Sequence, residues 1–469
     1  MDDPGPERPS ERGDGSPKSS WNDSTKTTVA VLAALVVVLV VATIGIVAVR
    51  DAADTVRRAV VTTTTVPGGG AAGALPPASD LTPEQALVVE EVKGQVAAIR
   101  GLAWRGPLPV KVLTKEQLAE RVRQLNAQEI AENRAELDAD EAVLKLLQFI
   151  PDDVDYAQTI DRILAGGVLG YYDDETKELF VGGGGSNSLD AATRSVLAHE
   201  LVHALTDQHF DFGAKGERLE DEERTEEVAA LSAVIEGDAE FVRTLWEERH
   251  LSARERQEAA VGGSADLDTY ARAPQYLLES LFFPYQDGLE FVRARHRAGG
   301  FAEVDNAYRN PPTSTEHILH PETYAAGQTW TLPPLPDLAA ATGCGEVDKG
   351  SLGEFDMNHL LGREISRSDA REAAEGWNGD AYGVVRCGTA LGLADRWQTD
   401  TPDDAGELAD ALARWARGWS GASRAPDAEG RFSGPDGAGR VVRNGSRVDL
   451  VLADDVATAD RLFRALTGG

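Results

Sequence analysis

The segment VLAHELVHALTDQHF, residues 196–210, carries three of the chain's eight histidines, His199, His203 and His209, together with Glu200 and Asp207. Residues four apart on a helix lie on one face, a turn from each other, so His199 and His203 present two imidazoles side by side. Two neutral imidazoles at that separation chelate one divalent ion, and imidazole suits zinc. Glu200 stands beside them, where its carboxylate can take a proton from a water polarised by that ion. This is the physical content of the H-E-x-x-H pattern. The bland alternative is a helix with two histidines and no ion. On a helical wheel Ala192, Val196, His199, Glu200, His203 and Asp207 fall on one side, and Leu197, Ala198, Leu201, Ala204 and Leu205 fall broadly opposite. The pattern predicts an amphipathic helix with an ionisable front.

A catalytic zinc site takes three protein ligands and keeps one position open. The next helix, about 223–250, contains ALSAVIEGDAEFV, residues 230–242, with an apolar stripe of Val228, Leu231, Ile235, Ala239 and Val242. Glu236 borders that stripe, Asp238 borders its other edge, and Glu240 lies a turn after Glu236. A carboxylate at the edge of a buried face needs a partner, because an unpaired buried charge is costly. Glu236 is therefore the preferred third ligand. A shell completed by Asp207 or Asp238 would instead make a closed, structural site.

HELVH followed by a helix bearing EGDAE resembles the gluzincin metallopeptidases. The resemblance implies that His199, His203 and Glu236 bind Zn2+, that Glu200 is the general base, and that the strand at 178–181 binds extended substrate. The commoner gluzincin form is ExxxD. Here Glu240 stands at the Asp position, so the role behind the ligands falls to Glu240 or Asp207. A downstream His or Tyr donor to the developing oxyanion is also implied. His320, in YRNPPTSTEHILHPETY at 308–324, is the first candidate for that catalytic role, with Tyr324 and Tyr285 in reserve. PPTSTEHILHPETY and EGWNGDAY also resemble an uncharacterised group of bacterial membrane-anchored or secreted zincin-like proteins. The metal motif covers few residues, and the looser likeness about 160–390.

These residues need a scaffold to position them. Residues 1–27 are polar and rich in Pro, Gly and Ser, which predicts disorder. Residues 28–49 carry no charge and are long enough for an uncleaved transmembrane helix. Residues 50–81 are rich in Thr, Gly, Ala and Pro and make a flexible linker. The capping signals TPEQ at Thr82 and TKEQ at Thr114 open helices, the second long enough to reach the 140s. Runs at 168–172 and 178–181 flank a polar turn and predict a hairpin. Further helices are expected near 267–281 and 286–297.

Beyond about residue 340 strands and helices alternate with tight turns, Asn444-Gly445 among them. The expected class is α+β: a mainly helical zincin-like metallopeptidase domain with a small sheet over 82–340, and a smaller C-terminal α+β domain over 341–469, behind one N-terminal transmembrane helix. A net charge of −32 argues against nucleic-acid binding. The expected partners are a peptide or protein substrate and the lipid bilayer. The expected location is the cell membrane, single-pass, with the large domain extracytoplasmic. In an oxidising compartment the two cysteines, Cys344 and Cys387, would pair. The expected activity is peptide-bond hydrolysis. The rival is a zincin fold kept as a non-catalytic extracellular binding or scaffold module; the presence of Glu200 with all the ligands stands against it.

Overall fold

The computed structural model describes residues 78–165, 169–183, 188–262 and 267–468. The expected tail at 1–27, the apolar span at 28–49 and nearly all of the linker lie outside the described residues. Among the described residues no helix is long and apolar enough to cross a membrane.

The first helices start where their caps predict. Strand β1 (Ser79–Asp80) precedes α1 (Pro83–Arg100). Thr82 Oγ1 accepts from the Gln85 N–H at 3.2 Å, and Gln85 Oε1 accepts from the Thr82 N–H at 2.9 Å. Thr114 and Gln117 repeat this box between β2 (Val110–Leu113) and α2 (Lys115–Glu132). The helix expected to run on into the 140s stops at Asn133, whose side-chain amide turns back to the Glu129 carbonyl. Such local side-chain bonds compete with helix propagation. Helix α3 (Arg134–Leu146) resumes after it, followed by α4 (Tyr156–Ala165) and the hairpin of β3 (Gly170–Asp173) and β4 (Glu178–Gly182).

Three consecutive helices follow: α5 (Ala191–Phe210), α6 (Phe212–Asp221) and α7 (Thr225–His250). Next come α8 (Ala253–Gly262), α9 (Leu267–Arg272) and α10 (Gln275–Gly299). The sequence reading divides this last stretch near Pro284, but α10 runs through it. Buried Phe282, Phe283 and Tyr285 hold that turn in place, and their packing outweighs the backbone hydrogen bond that proline removes. Short helices α11 (Phe301–Arg309), α12 (Thr315–Leu319), α13 (Pro321–Ala326) and α14 (Leu338–Thr342) close the mainly helical part.

The four-stranded sheet has the order β1-β2-β4-β3, with β2 and β4 parallel and the other pairs antiparallel. Helix α5 packs on β3 and β4. The strand at 178–181, to which the gluzincin resemblance gives substrate binding, is β4. It is paired on both sides, so its backbone groups are committed, and the free edge next to α5 belongs to β3. Leu197, Leu201, Val202 and Leu205 of α5 join Val89, Val92 and Val96 of α1 in one core. The ionisable side of α5 is buried as well, because it faces α7 rather than water.

The remaining chain forms a six-stranded antiparallel sheet. Its strands are β5 (Gly345–Gly350), β6 (Trp377–Cys387), β7 (Ala390–Thr399), β8 (Arg431–Ser433), β9 (Ala438–Asn444) and β10 (Arg447–Ala453), in the order β5-β6-β7-β10-β9-β8. Helices α15 (Gly353–Gly362), α16 (Arg367–Ala374), α17 (Pro402–Trp419) and α18 (Val456–Thr467) surround it. Alternation along β10 sends Val448, Leu450 and Leu452 to a core with Trp397, Trp415 and Trp419, and Val451 and Ala453 to a second core with Leu462. Cys344 and Cys387 form a disulfide, with Cα atoms 4.8 Å apart. Asn444 pairs with Arg447 at the end of β9, and Gly445 and Ser446 make the β9–β10 turn, with Gly445 at φ +64°. Val143, Leu146, Leu147 and Phe149 from the helical part complete the tryptophan-lined core, so the two parts share it.

Helices α7 and α10 touch backbone to backbone. A Cβ on Gly288 would fall within the van der Waals envelope of the Ala233 carbonyl, and one on Gly237 within that of the Gly288 carbonyl. Overpacking a tight interior contact costs roughly 1–3 kcal/mol. Gly288→Ala is therefore expected to lower the unfolding free energy by about that amount, read as a drop in the urea midpoint at unchanged slope; an unchanged midpoint would contradict the close crossing.

Candidate metal centre

The crossing of α5 and α7 builds the centre. Glu236, from α7, places Oε2 3.1 Å from His199 Nε2 and 3.4 Å from His203 Nε2. The two imidazole rings lie 4.6 Å apart at a steep angle. One donor atom from each of the three residues lies within 4.8 Å of the others, which no other such group does among the described residues. All three are buried, with exposures of 0 % for His199, 2 % for His203 and 1 % for Glu236. Neither ring nitrogen of His203 has a hydrogen-bond partner, and Nε2 meets Glu236 only as a 3.4 Å ion-pair contact. A buried imidazole with both nitrogens idle is costly.

The charges ask for a cation. Burial pushes Glu200 up to about 7, against the pull of His203 and His199. Burial opposes the charged form of His199, yet the hydrogen bond to Glu236 and the nearby carboxylates of Glu240 and Glu200 carry it up to about 9. Burial alone would raise Glu236 too, but His203 and His199 hold it below the usual carboxylate range. A proton on His199 thus balances the surrounding carboxylates, and a divalent ion on the three donor atoms would do so more completely. Two imidazoles and one carboxylate suit such an ion, so the residues fit a metal.

A second set of contacts fixes these groups. Glu240 Oε2 lies 3.7 Å from His199 Nδ1, beyond hydrogen-bond range but close enough to face the ring. Arg243 grips both oxygens of Glu240, with Nε at 2.8 Å from Oε2, and also contacts Glu247. Its Nη1 donates to Ser195 of α5 at 3.2 Å, so one buried guanidinium ties the two ligand-bearing helices together. Burial would raise Glu240, but Arg243 overrides it and holds this carboxylate far below its ordinary range. Asp207 and Asp238 are engaged elsewhere. Asp207 accepts from Tyr172 Oη at 2.9 Å and Lys177 Nζ at 2.6 Å. Asp238 pairs with Arg100 at 2.8 Å. The supporting position behind His199 is thus held by Glu240.

Glu200 is fully buried next to the ligands. Its Oε2 accepts from the Tyr172 N–H of β3 at 2.9 Å, and its Oε1 has no hydrogen-bond partner. Tyr285 of α10 stacks on His199, ring centroids 6.2 Å apart, and Phe212 meets His203 edge-on at 6.4 Å.

His320 sits between α12 and α13. Its Nε2 lies 2.8 Å from Glu354 Oε1 and its Nδ1 3.9 Å from Glu322. None of its hydrogen bonds or ion pairs involves His199, Glu200, His203 or Glu236. Tyr324 Oη donates to the Asn310 carbonyl at 2.8 Å. Of the three expected oxyanion donors, Tyr285 is the one with a ring contact to the cluster. Arg243, Phe212 and the Tyr172 N–H escape the sequence reading. A signal existed for Arg243: Glu240, Arg243 and Glu247, at i, i+3 and i+7, fall on one helix face.

A family model described as a domain of unknown function (DUF8575) matches residues 340–462. That match lies in the C-terminal part and does not reach the cluster. No curated protein matches the chain. Among solved structures, a candidate hydrolase with a novel fold from Chloroflexus aurantiacus is similar at 19 % identity and a TM-score of 0.36, covering 52 % of this chain and 88 % of that one. A likeness of that score carries no argument about this chain's fold or chemistry.

The His320–Glu354 pair generates a pH prediction. The hydrogen bond to Glu354 raises His320 to about 8, from 6.5 for a free histidine. A raised pKa means the folded state holds the proton more tightly, so the stabilisation is full below about 6.5 and fades as pH rises through about 8. Unfolding free energy measured from pH 6 to 9 should show this loss in the wild type and not in His320→Gln. Parallel profiles would contradict the pairing.

Proposed function

We propose that the chain is a zinc-dependent peptidase of gluzincin type, tethered to a membrane through residues 28–49, with its folded part extracytoplasmic. The observation that carries the reading is the buried His199–His203–Glu236 cluster with Glu200 alongside it. Zinc held there would supply Lewis-acid polarisation of a water and of a carbonyl. Glu200 supplies the proton chemistry: its idle Oε1 takes a proton from the attacking water and returns it to the leaving amine. An apolar surround that lifts its pKa toward 7 suits a group that must both accept and release a proton. Tyr285, stacked on His199, is the better placed of the reserve donors to a developing oxyanion. Apart from the Tyr172 N–H that Glu200 holds, the outer edge of β3 offers backbone groups to an extended peptide. The Cys344–Cys387 disulfide supports an oxidising compartment, and the apolar run at 28–49 supports the anchor.

The near-complete burial of the cluster favours a second reading, a structural metal site in a non-catalytic module. One variant separates the two. Glu200→Gln is expected to keep the metal and to lose hydrolysis of a peptide library by a factor of roughly 10²–10⁴. Cleavage by the wild type that persists in the variant would contradict Glu200 as base. A metal-loaded wild type that cleaves nothing would favour the structural reading.

A further inference from the structure

A peptidase centre must admit its substrate, yet His199, Glu200, His203 and Glu236 are all between 0 % and 2 % exposed. Some wall has to move. Three elements place side chains or backbone against the cluster: β3 through the Tyr172 N–H, α10 through Tyr285, and α6 through Phe212. Two of them are firmly built in. β3 is hydrogen-bonded along β4 and buries Tyr171 and Tyr172. α10 spans 25 residues, buries ten of them and meets α7 backbone to backbone at Gly288.

Helix α6 is different. Of its ten residues only Phe212 is buried. It also packs on α7 and against Asp174, and Lys215 Nζ donates to the Tyr308 carbonyl at 2.6 Å. Four non-glycine residues have positive φ among the described residues, and two of them bracket α6: Asp211 at +49° and Glu223 at +55°. Such residues are strained, by about 1–3 kcal/mol each, and mark places where a chain changes direction under duress. The seam between α6 and its neighbours also sets acids against each other. Glu220 feels Asp174 and Glu129 across it and Glu217 and Asp221 on its own helix, and burial with these like charges pushes it up to about 7, though Lys177 offsets part of the charge at Asp174. A segment with one apolar anchor, strained junctions and a repulsive seam has low local stability.

We propose that α6 is a hinged lid over the metal centre, latched by Phe212, and that its opening admits substrate and metal. This rests on reading the cluster as a metal centre. Asp211 and Glu223 are the hinges.

The structure provides a staple to test it. A Cβ built on Gly213 would lie 3.5 Å from the Asp174 Cβ, within the roughly 3.5–4.5 Å that a disulfide requires. The pair Asp174→Cys with Gly213→Cys therefore fastens α6 to the β3–β4 turn. The readout is the rate at which a chelator strips zinc from loaded protein. Oxidised, the stapled protein should lose zinc at least about tenfold more slowly than when reduced, since the closed form becomes obligatory. The wild type, carrying only the Cys344–Cys387 disulfide, should show no such swing. Phe212→Ala should release zinc at least about tenfold faster at unchanged stoichiometry, because burying one aromatic ring favours the closed state by that much or more. Equal rates in oxidised and reduced staple, with metal bound, would overturn the lid and leave the metal reading standing. A wild type that takes up no metal would overturn both.

Discussion

The Glu236 carboxylate, set against two imidazoles in a buried interior, is the interaction on which this structure turns. A charge held there is tolerable only if opposite charge is held with it. That requirement explains several features at once. Glycines at 237 and 288 let α10 press onto α7 beside the ligand. Arg243 joins α5 to α7 and anchors Glu240 behind His199. Arg100 takes Asp238 out of competition for the site. Each lies on the link between packing and chemistry, since moving any of them shifts the helices that carry the ligands.

Burial and access pull against each other here. Low exposure strengthens every electrostatic interaction in the centre and excludes bulk water. The same burial shuts the centre away from a polypeptide. Of the helices set against the centre, α6 buries only Phe212, while α5, α7 and α10 bury long stretches of their surface. The C-terminal part acts as a buttress. It shares a core with α3 and is bonded to the helical part through pairs such as Trp419 Nε1 with the Leu146 carbonyl at 2.8 Å and His320 with Glu354. Asp380 illustrates its structural character: this buried carboxylate accepts from the Leu352 and Gly353 N–H groups, Ser351 and Trp377.

Much of the centre was legible because its signals are local. The i, i+4 spacing of His199 and His203 brings the two rings together on any helix, and Thr82 and Thr114 cap helices through neighbours three residues away. Glu236 could be singled out as a carboxylate edging an apolar stripe. What escaped depends on contacts distant in sequence. Whether β3 or β4 is the free edge is decided by β2, a strand more than fifty residues upstream. The run of α10 through Pro284 depends on its packing with α7. His320 sits in distinctive sequence, but its partner is Glu354, on a helix of the other part. The burial of α5 on its ionisable face was hidden for a related reason: that face is covered by another helix, and a wheel of α5 alone cannot show that.

The most direct measurement is the metal content of the folded chain by elemental mass spectrometry, beside Glu236→Ala. The account predicts one zinc per chain in the wild type and its loss in the variant, with the fold retained. Well-folded wild type that holds no metal after incubation with zinc would contradict the central claim, and so would a variant that keeps its zinc undiminished.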